Sequence, residues 1–325
     1  MKRSWTYRLN IFLFLLPALI LFVGILIAPI LISGYYSLFK FNSINGSDMT
    51  YVGFQNYISL FSREIPNPET GEMFVNVKYL GDALVNALIL AALSVFIQLP
   101  IALICALRLG KGIKGERTYL SIYFMPVLIS TVIIGRLWMN IYDPGSGGIL
   151  NAGLRALGID QWLFSRINAG ITSSTLTFTG QWTGFKETAL IAAFIPILWQ
   201  YIGYHMLLMY AGVKGVPKDL LEAAELDGCT QGQVNRHIII PYIKPILRVC
   251  VVFAVTGSLK SFDLVYTLMK DTTKAELPST LMYKLLFLHN DYGMGSTIAV
   301  ILIVLCFVFA LLISVFFRNR GEKVA

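Results

Sequence analysis

Charged and uncharged stretches alternate along this chain on a scale far longer than a helical turn. Arg8 to Lys40 encloses 31 residues without a formal charge, Asp82 to Arg108 encloses 25, Glu187 to Lys214 encloses 26, and Asp291 to Arg318 encloses 26. A helix needs about 20 apolar residues to cross the bilayer core. Each of these blocks therefore predicts a membrane span. Two further blocks are less clean. Thr118 to Gly135 supplies 18 uncharged residues and runs on past Arg136 to Tyr142. Arg136 would snorkel from near the end of that helix. Leu247 to Leu268 contains Lys260 and Asp263. With both included, the expected spans cover 11–39, 83–107, 118–142, 188–213, 247–268 and 292–317.

The first block follows Lys2, Arg3 and Arg8, as a secretory signal would. A signal's apolar core is about 7–15 residues. Ile11 to Phe39 is about twice that, with no convincing cleavage site after it. It reads as a retained first span. Orientation follows from the basic residues. With the N-terminus inside, 15 of the 26 lysines and arginines fall in the shorter inner segments and nine in the longer outer loops, with Arg136 and Lys260 inside spans. The positive-inside rule then puts both termini in the cytoplasm.

Composition agrees with a polytopic membrane protein. Hydrophobic residues make up 56% and charged residues 14%, against about 45–50% and about 25% in soluble domains. The net charge of +8 calls for no nucleic acid, because anionic lipid at the inner leaflet accounts for it. Cys105, Cys229, Cys250 and Cys306 are scattered, as are His205, His237 and His289. Neither a disulfide framework nor a metal site is expected.

The inner loop at 215–241 carries more information than the spans. Pro217 suits the first position of a helix, and Asp219 sets an acid in its first turn. Glu222, Ala223, Ala224, Glu225 and Leu226 favour helix, and Gly228 stands where a left-handed terminator belongs. Thr230-Gln231-Gly232-Gln233 then has the form of a capping box opening a second helix, which is expected to stop near Pro241. Ala223 and Ala224 would let another protein approach closely, and Glu222 and Glu225 would offer charges for register. A helix resting on the membrane surface is the other reading, but such helices are rich in Lys and Arg. Here Asp219, Glu222, Glu225 and Asp227 stand against Lys218 alone. That favours docking to a protein.

Glu222-Ala223-Ala224, Gly228 four residues on, and Ile240-Pro241 resemble the EAA loop of bacterial ABC-importer permeases. Other stretches resemble the carbohydrate-uptake group, the relatives of the maltose and glycerol-3-phosphate permeases. They are Tyr51 to Tyr57 after the first span, Gly148 to Asn151 after the third, and Gly257 to Tyr266 in the fifth. The outer loops 63–81 and 164–186 look longer than is usual for the group.

The resemblance implies an all-α fold: one permease domain over 1–325, with six transmembrane helices and a cytoplasmic coupling-helix elbow. It also implies a bacterial plasma-membrane location, a second permease subunit as a heterodimer partner, and an extracytoplasmic solute-binding protein that delivers a sugar. A cytoplasmic ATPase dimer would receive Glu222, Ala223, Ala224, Asp227 and Gly228. The chain holds no G-x-x-x-x-G-K-[ST] loop, so ATP and magnesium belong to that partner. No cofactor is expected here, and the chain is a transport subunit, not an enzyme.

Tyr204, Ser258, Ser261 and Phe262 match the positions lining the sugar site in the maltose permease. Aromatic faces and hydroxyls suit a neutral polyol. Helix packing remains an equal alternative, since serine commonly packs helices in lipid. Lys260 and Asp263, three apart, are expected to share a helical face and pair, either as mere neutralisation or as an outer gate. A proton- or sodium-coupled transporter would show mid-span acids and related halves, and only Asp263 lies within a span. An enzyme would need a catalytic cluster, and none is present. A membrane scaffold without an ATPase partner does not explain the elbow. The topology predicts that cysteines introduced near 110 and 225 label only from the cytoplasm and those near 70, 170 and 275 from outside. External labelling at 225 in intact cells would overturn it.

Overall fold

The computed structural model describes residues 5–43, 45–66, 73–76, 79–145, 147–171, 177–269 and 274–318. Lys2, Arg3, Lys78, Lys270, Arg320 and Lys323 of the charge count, and parts of both long outer loops, lie outside the described residues. Among the described residues, five helices are long and apolar enough to span a bilayer: Leu9–Tyr36, Leu80–Leu109, Lys186–Lys214, Lys244–Met269 and Tyr292–Phe316. They are the first, second, fourth, fifth and sixth spans. The third differs from expectation. In place of one run over 118–142 it is a pair of helices, Glu116–Leu128 and Thr131–Ile141, bent by 95°. Pro126 in the last turn of the first limb lacks an N–H and crowds the preceding carbonyls. Ile129 and Ser130 then turn extended, with ψ of 137° and 133°. Arg136 sits exposed in mid-limb.

The chain divides into two compact units. The first comprises residues 1–81 and 281–304. It holds the first span, whose apolar side chains are almost all exposed, as lipid-facing residues are. It also holds two small antiparallel hairpins, Phe39–Lys40 with Thr50–Tyr51 and Glu64–Pro66 with Met73–Val75. Buried Asn56, from the Tyr51–Tyr57 stretch, donates from Nδ2 to the Ser37 and Phe39 carbonyls, both at 2.9 Å. The start of the sixth span packs there as well. Thr297 Oγ1 donates to the Ser37 carbonyl at 3.3 Å, and a Cβ on Gly293 would lie 2.1 Å from the Phe39 oxygen. An asparagine and a glycine thus fix the chain as it leaves the first span.

The second unit, residues 82–280 and 305–325, is built around the fourth span. Met206 and Met209 of that span, Leu99, Ala102, Ala106 and Leu109 of the second, and Cys250 and Ala254 of the fifth form one buried core. Small residues set the spacing, as is general for helices in lipid. A Cβ on Gly203 would fall 1.8 Å from the Tyr123 carbonyl oxygen in the third span. A Cβ on Gly212 would meet the Ile246 side chain at 2.4 Å. Gly203→Leu should therefore force the third and fourth spans apart and cost about 3 kcal/mol. A clearly lowered thermal midpoint in detergent is the expected result, and an unchanged midpoint would show that the contact is dispensable.

Candidate functional site

The fifth span is not continuous. Its first helix ends at Leu259, Lys260 leaves helical geometry at φ −97° and ψ 4°, and a new helix begins at Asp263. A cavity of about 420 Å³ opens at this break. Its wall includes Tyr204, Ser258, Ser261 and Phe262, and also Lys260 and Asp263. The structure thus brings all six of these sequence-derived residues to one place. Phe262 stacks on Tyr266 with ring centroids 5.2 Å apart. Ser258 is 7% exposed, donates its hydroxyl to the Ala254 carbonyl at 2.8 Å and meets Ser94 Oγ at 3.4 Å. Lys260 and Asp263 form no ion pair with each other. The expected pairing on one helical face fails because the helix is broken between them.

Sequence reasoning missed part of the wall. Ser94–Gln98 forms a π turn within the second span, and both of its end residues line the cavity, as does His205 of the fourth span. Gln98 is 2% exposed and His205 4% exposed. Gln98 Oε1 and His205 Nδ1 are buried without a protein hydrogen-bond partner. Buried polar atoms are normally satisfied, so these two are suited to a guest that supplies the partner. The signal was present: a polar side chain inside an uncharged block is a functional candidate by default. Among the described residues no group of three His, Cys, Asp or Glu side chains is arranged to hold a metal.

The elbow follows the fourth span. Pro217 occupies the N-cap, one position before the expected one, and the helix runs Lys218–Leu226. Gly228 has φ +72°. Its N–H bonds the Glu225 carbonyl at 3.0 Å and the Cys229 N–H bonds the Ala224 carbonyl at 2.9 Å. This is the paired closure of a Schellman terminus. Thr230 and Gln233 form the expected capping box, with the Thr230 N–H donating to Gln233 Oε1 at 2.7 Å. The second helix then passes through a π turn at Asn235–Ile239 and a short helix at Ile240–Tyr242. It ends at Tyr242, one residue past Pro241, near where the sequence places its stop.

One face of the elbow helix is anchored. Ala224 is 5% exposed and packs with Val213, Val216, Val234, Ile239 and Ile243, against which Leu221 also lies. The expectation that both alanines face a partner is thus corrected. Helical periodicity puts position 224 on the same inward face as 221, and Ala223 alone is open. Glu222, Glu225, Asp227 and Gly228 are exposed. Leu226 is 90% exposed, an apolar side chain on the surface that sequence reasoning passed over as a mere helix former.

The profile of the family described as "binding-protein-dependent transport system inner membrane component" matches residues 98–321. The chain belongs to this family. The osmoprotective compounds uptake permease protein GgtC of Synechocystis is 31% identical, over 90% of this chain and 93% of that protein. The diacetylchitobiose uptake system permease protein NgcF of Streptomyces coelicolor is 28% identical, over 84% of this chain and 72% of that protein. In fold, the chain is similar to a chain of a solved bacterial ABC transporter that imports alginate, with a TM-score of 0.75, 21% identity and 98% of both chains covered. This largely helical membrane chain is accordingly a permease subunit of an ABC importer, a membrane component and not an enzyme.

The shape of the permease's elbow depends on its left-handed glycine. Gly228→Val would place a β-branched side chain at φ +72°, a conformation costing roughly 1–2 kcal/mol for L residues. Hydrogen exchange at the Gly228 and Cys229 amides should speed up by about tenfold. Unchanged protection there would show that the terminus does not rely on glycine.

Proposed function

We propose that this permease passes a neutral sugar or oligosaccharide across the bacterial plasma membrane. An extracytoplasmic solute-binding protein delivers it, and a cytoplasmic ATPase dimer drives the transfer with ATP and magnesium. A second permease subunit completes the pathway, and both termini of this chain lie in the cytoplasm. The observation that carries the reading is the wall of the cavity at the break in the fifth span. There the aromatic rings of Tyr204 and Phe262 stand with the hydroxyls of Ser94, Ser258 and Ser261. Rings offer apolar faces to the C–H side of a pyranose, and hydroxyls exchange hydrogen bonds with its OH groups without imposing charge. The volume of about 420 Å³ falls within the range of small-molecule sites. The similarity to the Streptomyces diacetylchitobiose uptake permease supports the same solute class.

Lys260 and Asp263 act as the gate. Both are exposed and border the cavity on either side of the helix break, where a small change of backbone moves both charges. At the other end of the chemistry, Glu222, Ala223, Asp227 and Gly228 meet the ATPase, with Ala224 holding the helix from beneath. Glu222 and Glu225 give that surface acidic contacts, and charge-assisted hydrogen bonds contribute more than neutral ones.

The test is uptake by the assembled importer, using radiolabelled oligosaccharides retained by its own solute-binding protein. Tyr204→Ala and Phe262→Ala should each reduce uptake by about tenfold, a loss equivalent to about 1.4 kcal/mol, with normal recovery of the ATPase. Glu222→Lys should abolish uptake and reduce ATPase recovery while the chain still inserts in the membrane. Wild-type uptake in the two aromatic variants would make those rings packing elements. Wild-type uptake and ATPase recovery in Glu222→Lys would make the elbow a passive tether.

A further inference from the structure

A polar cluster outside both sites joins the third span to the last turn of the fourth. Glu116 opens the first limb of the third span, and Lys214 is the last residue of the fourth. Lys214 Nζ lies 3.2 Å from Glu116 Oε2, and the Tyr210 hydroxyl donates to the other carboxylate oxygen, Oε1. The Lys214 ammonium also sits 5.6 Å from the centre of the Tyr210 ring. The Glu116 side chain is 20% exposed and that of Lys214 39% exposed. The carboxylate is therefore held by two donors one helical turn apart on the same helix. An exposed ion pair alone contributes little, but a hydroxyl donating to a charged acceptor is among the stronger hydrogen bonds. Placement is favourable as well, with the acid at a helix N-terminus and the cation at a helix C-terminus. Close packing of the connecting loop supports the junction: a Cβ on Gly110 would meet the Val213 side chain at 2.5 Å.

The position of this cluster gives it a role. Lys214 lies four residues before Lys218, where the elbow helix begins. Further along, the same limb of the third span touches the fourth again, where Gly203 admits the Tyr123 carbonyl. The limb is thus attached to the fourth span at two points, and beyond Leu128 comes the 95° bend. Thr131, the first residue after the bend, lines the cavity. We propose that Glu116 is a positioning residue for coupling: by holding Tyr210 and Lys214 it makes the first limb of the third span move with the elbow, so that a displacement at the elbow reaches the bend beside the cavity. This rests on the reading of the elbow as the ATPase contact.

The test uses the full importer in nanodiscs, with the four native cysteines replaced by alanine. Spin labels go on Ile113→Cys, ahead of the third span, and Lys218→Cys, at the start of the elbow. Co-purification of the ATPase with the unlabelled wild type is measured first, and its absence would overturn the elbow reading separately from the present one. The complex is then trapped with Mg-ATP and vanadate. With Glu116 intact, the label distance should stay within about 2 Å of its resting value. Glu116→Gln and Lys214→Met should each let it change by about 5 Å, the scale of a one-turn slip between helices. The double variant should change no more than either single one, as expected for residues acting through each other. Tyr210→Phe, which keeps the ring and the ion pair, should give an intermediate change and guards against a folding defect in the charge variants. A change of about 5 Å with Glu116 intact, equal behaviour of intact and variant complexes, or additive effects in the double variant would overturn the proposal.

Discussion

Hydrocarbon offers no partner to a backbone N–H or C=O, so a chain inside a bilayer must satisfy those groups within its own helices or inside the protein. Much of this permease follows from that constraint. Its first span is a continuous helix of exposed apolar side chains. Irregular backbone occurs elsewhere, at Ile129–Ser130 in the third span and Lys260–Phe262 in the fifth. Both breaks adjoin the same cavity, since Thr131 follows one and Lys260, Ser261 and Phe262 constitute the other. Broken backbone is placed at the wall of the cavity, where the freed backbone groups are enclosed by protein and not by lipid, and on the proposed reading the binding surface is in part the set of positions where regular helix was given up.

The loops are held on a related principle. A single buried side chain takes over hydrogen bonds that regular structure would otherwise make. Asn56 binds two carbonyls at the exit of the first span. Asn151 plays the same part after the third. It is fully buried, donates from Nδ2 to the Asp143 and Gly180 carbonyls at 2.9 and 3.1 Å, and accepts from Trp182 Nε1 at 2.9 Å. A Cβ on Gly180 would lie 2.6 Å from that asparagine. These asparagines belong to two of the stretches that carry the family resemblance, which acquires a mechanical reason: each donates two N–H bonds from one amide nitrogen to two carbonyls, which no other uncharged side chain of that size can do.

How much of this was legible in the sequence depended on how local each cause was. The spans were readable because hydropathy over about 20 residues decides them. The elbow was readable almost to the residue because proline, glycine and the Thr230–Gln233 box act within one turn. The inward face of Ala224 was legible only from periodicity with Leu221, which a reading by composition overlooked. The bend in the third span was masked by an unbroken apolar run, although Pro126 stood in it. Gln98 and His205 stood out in the sequence as polar side chains inside uncharged blocks, but that they share one wall became evident only when the spans came together around them.

The π turn at Ser94–Gln98 has a consequence for how such a wall changes over time. In sequence terms a π turn is an α-helix carrying one extra residue, and such turns are frequent at functional sites. Each residue added to or removed from a helix rotates everything beyond it by about 100°. Between Ser94 and Gln98 the extra residue is absorbed locally, so the packed Leu99, Ala102 and Ala106 keep their inward register. Gain or loss of one residue at such a point exchanges the side chains shown to the cavity and leaves the core beyond it undisturbed. A lineage can in this way retune what the wall of this cavity presents by insertion or deletion, a route open to few other stretches of a tightly packed membrane helix.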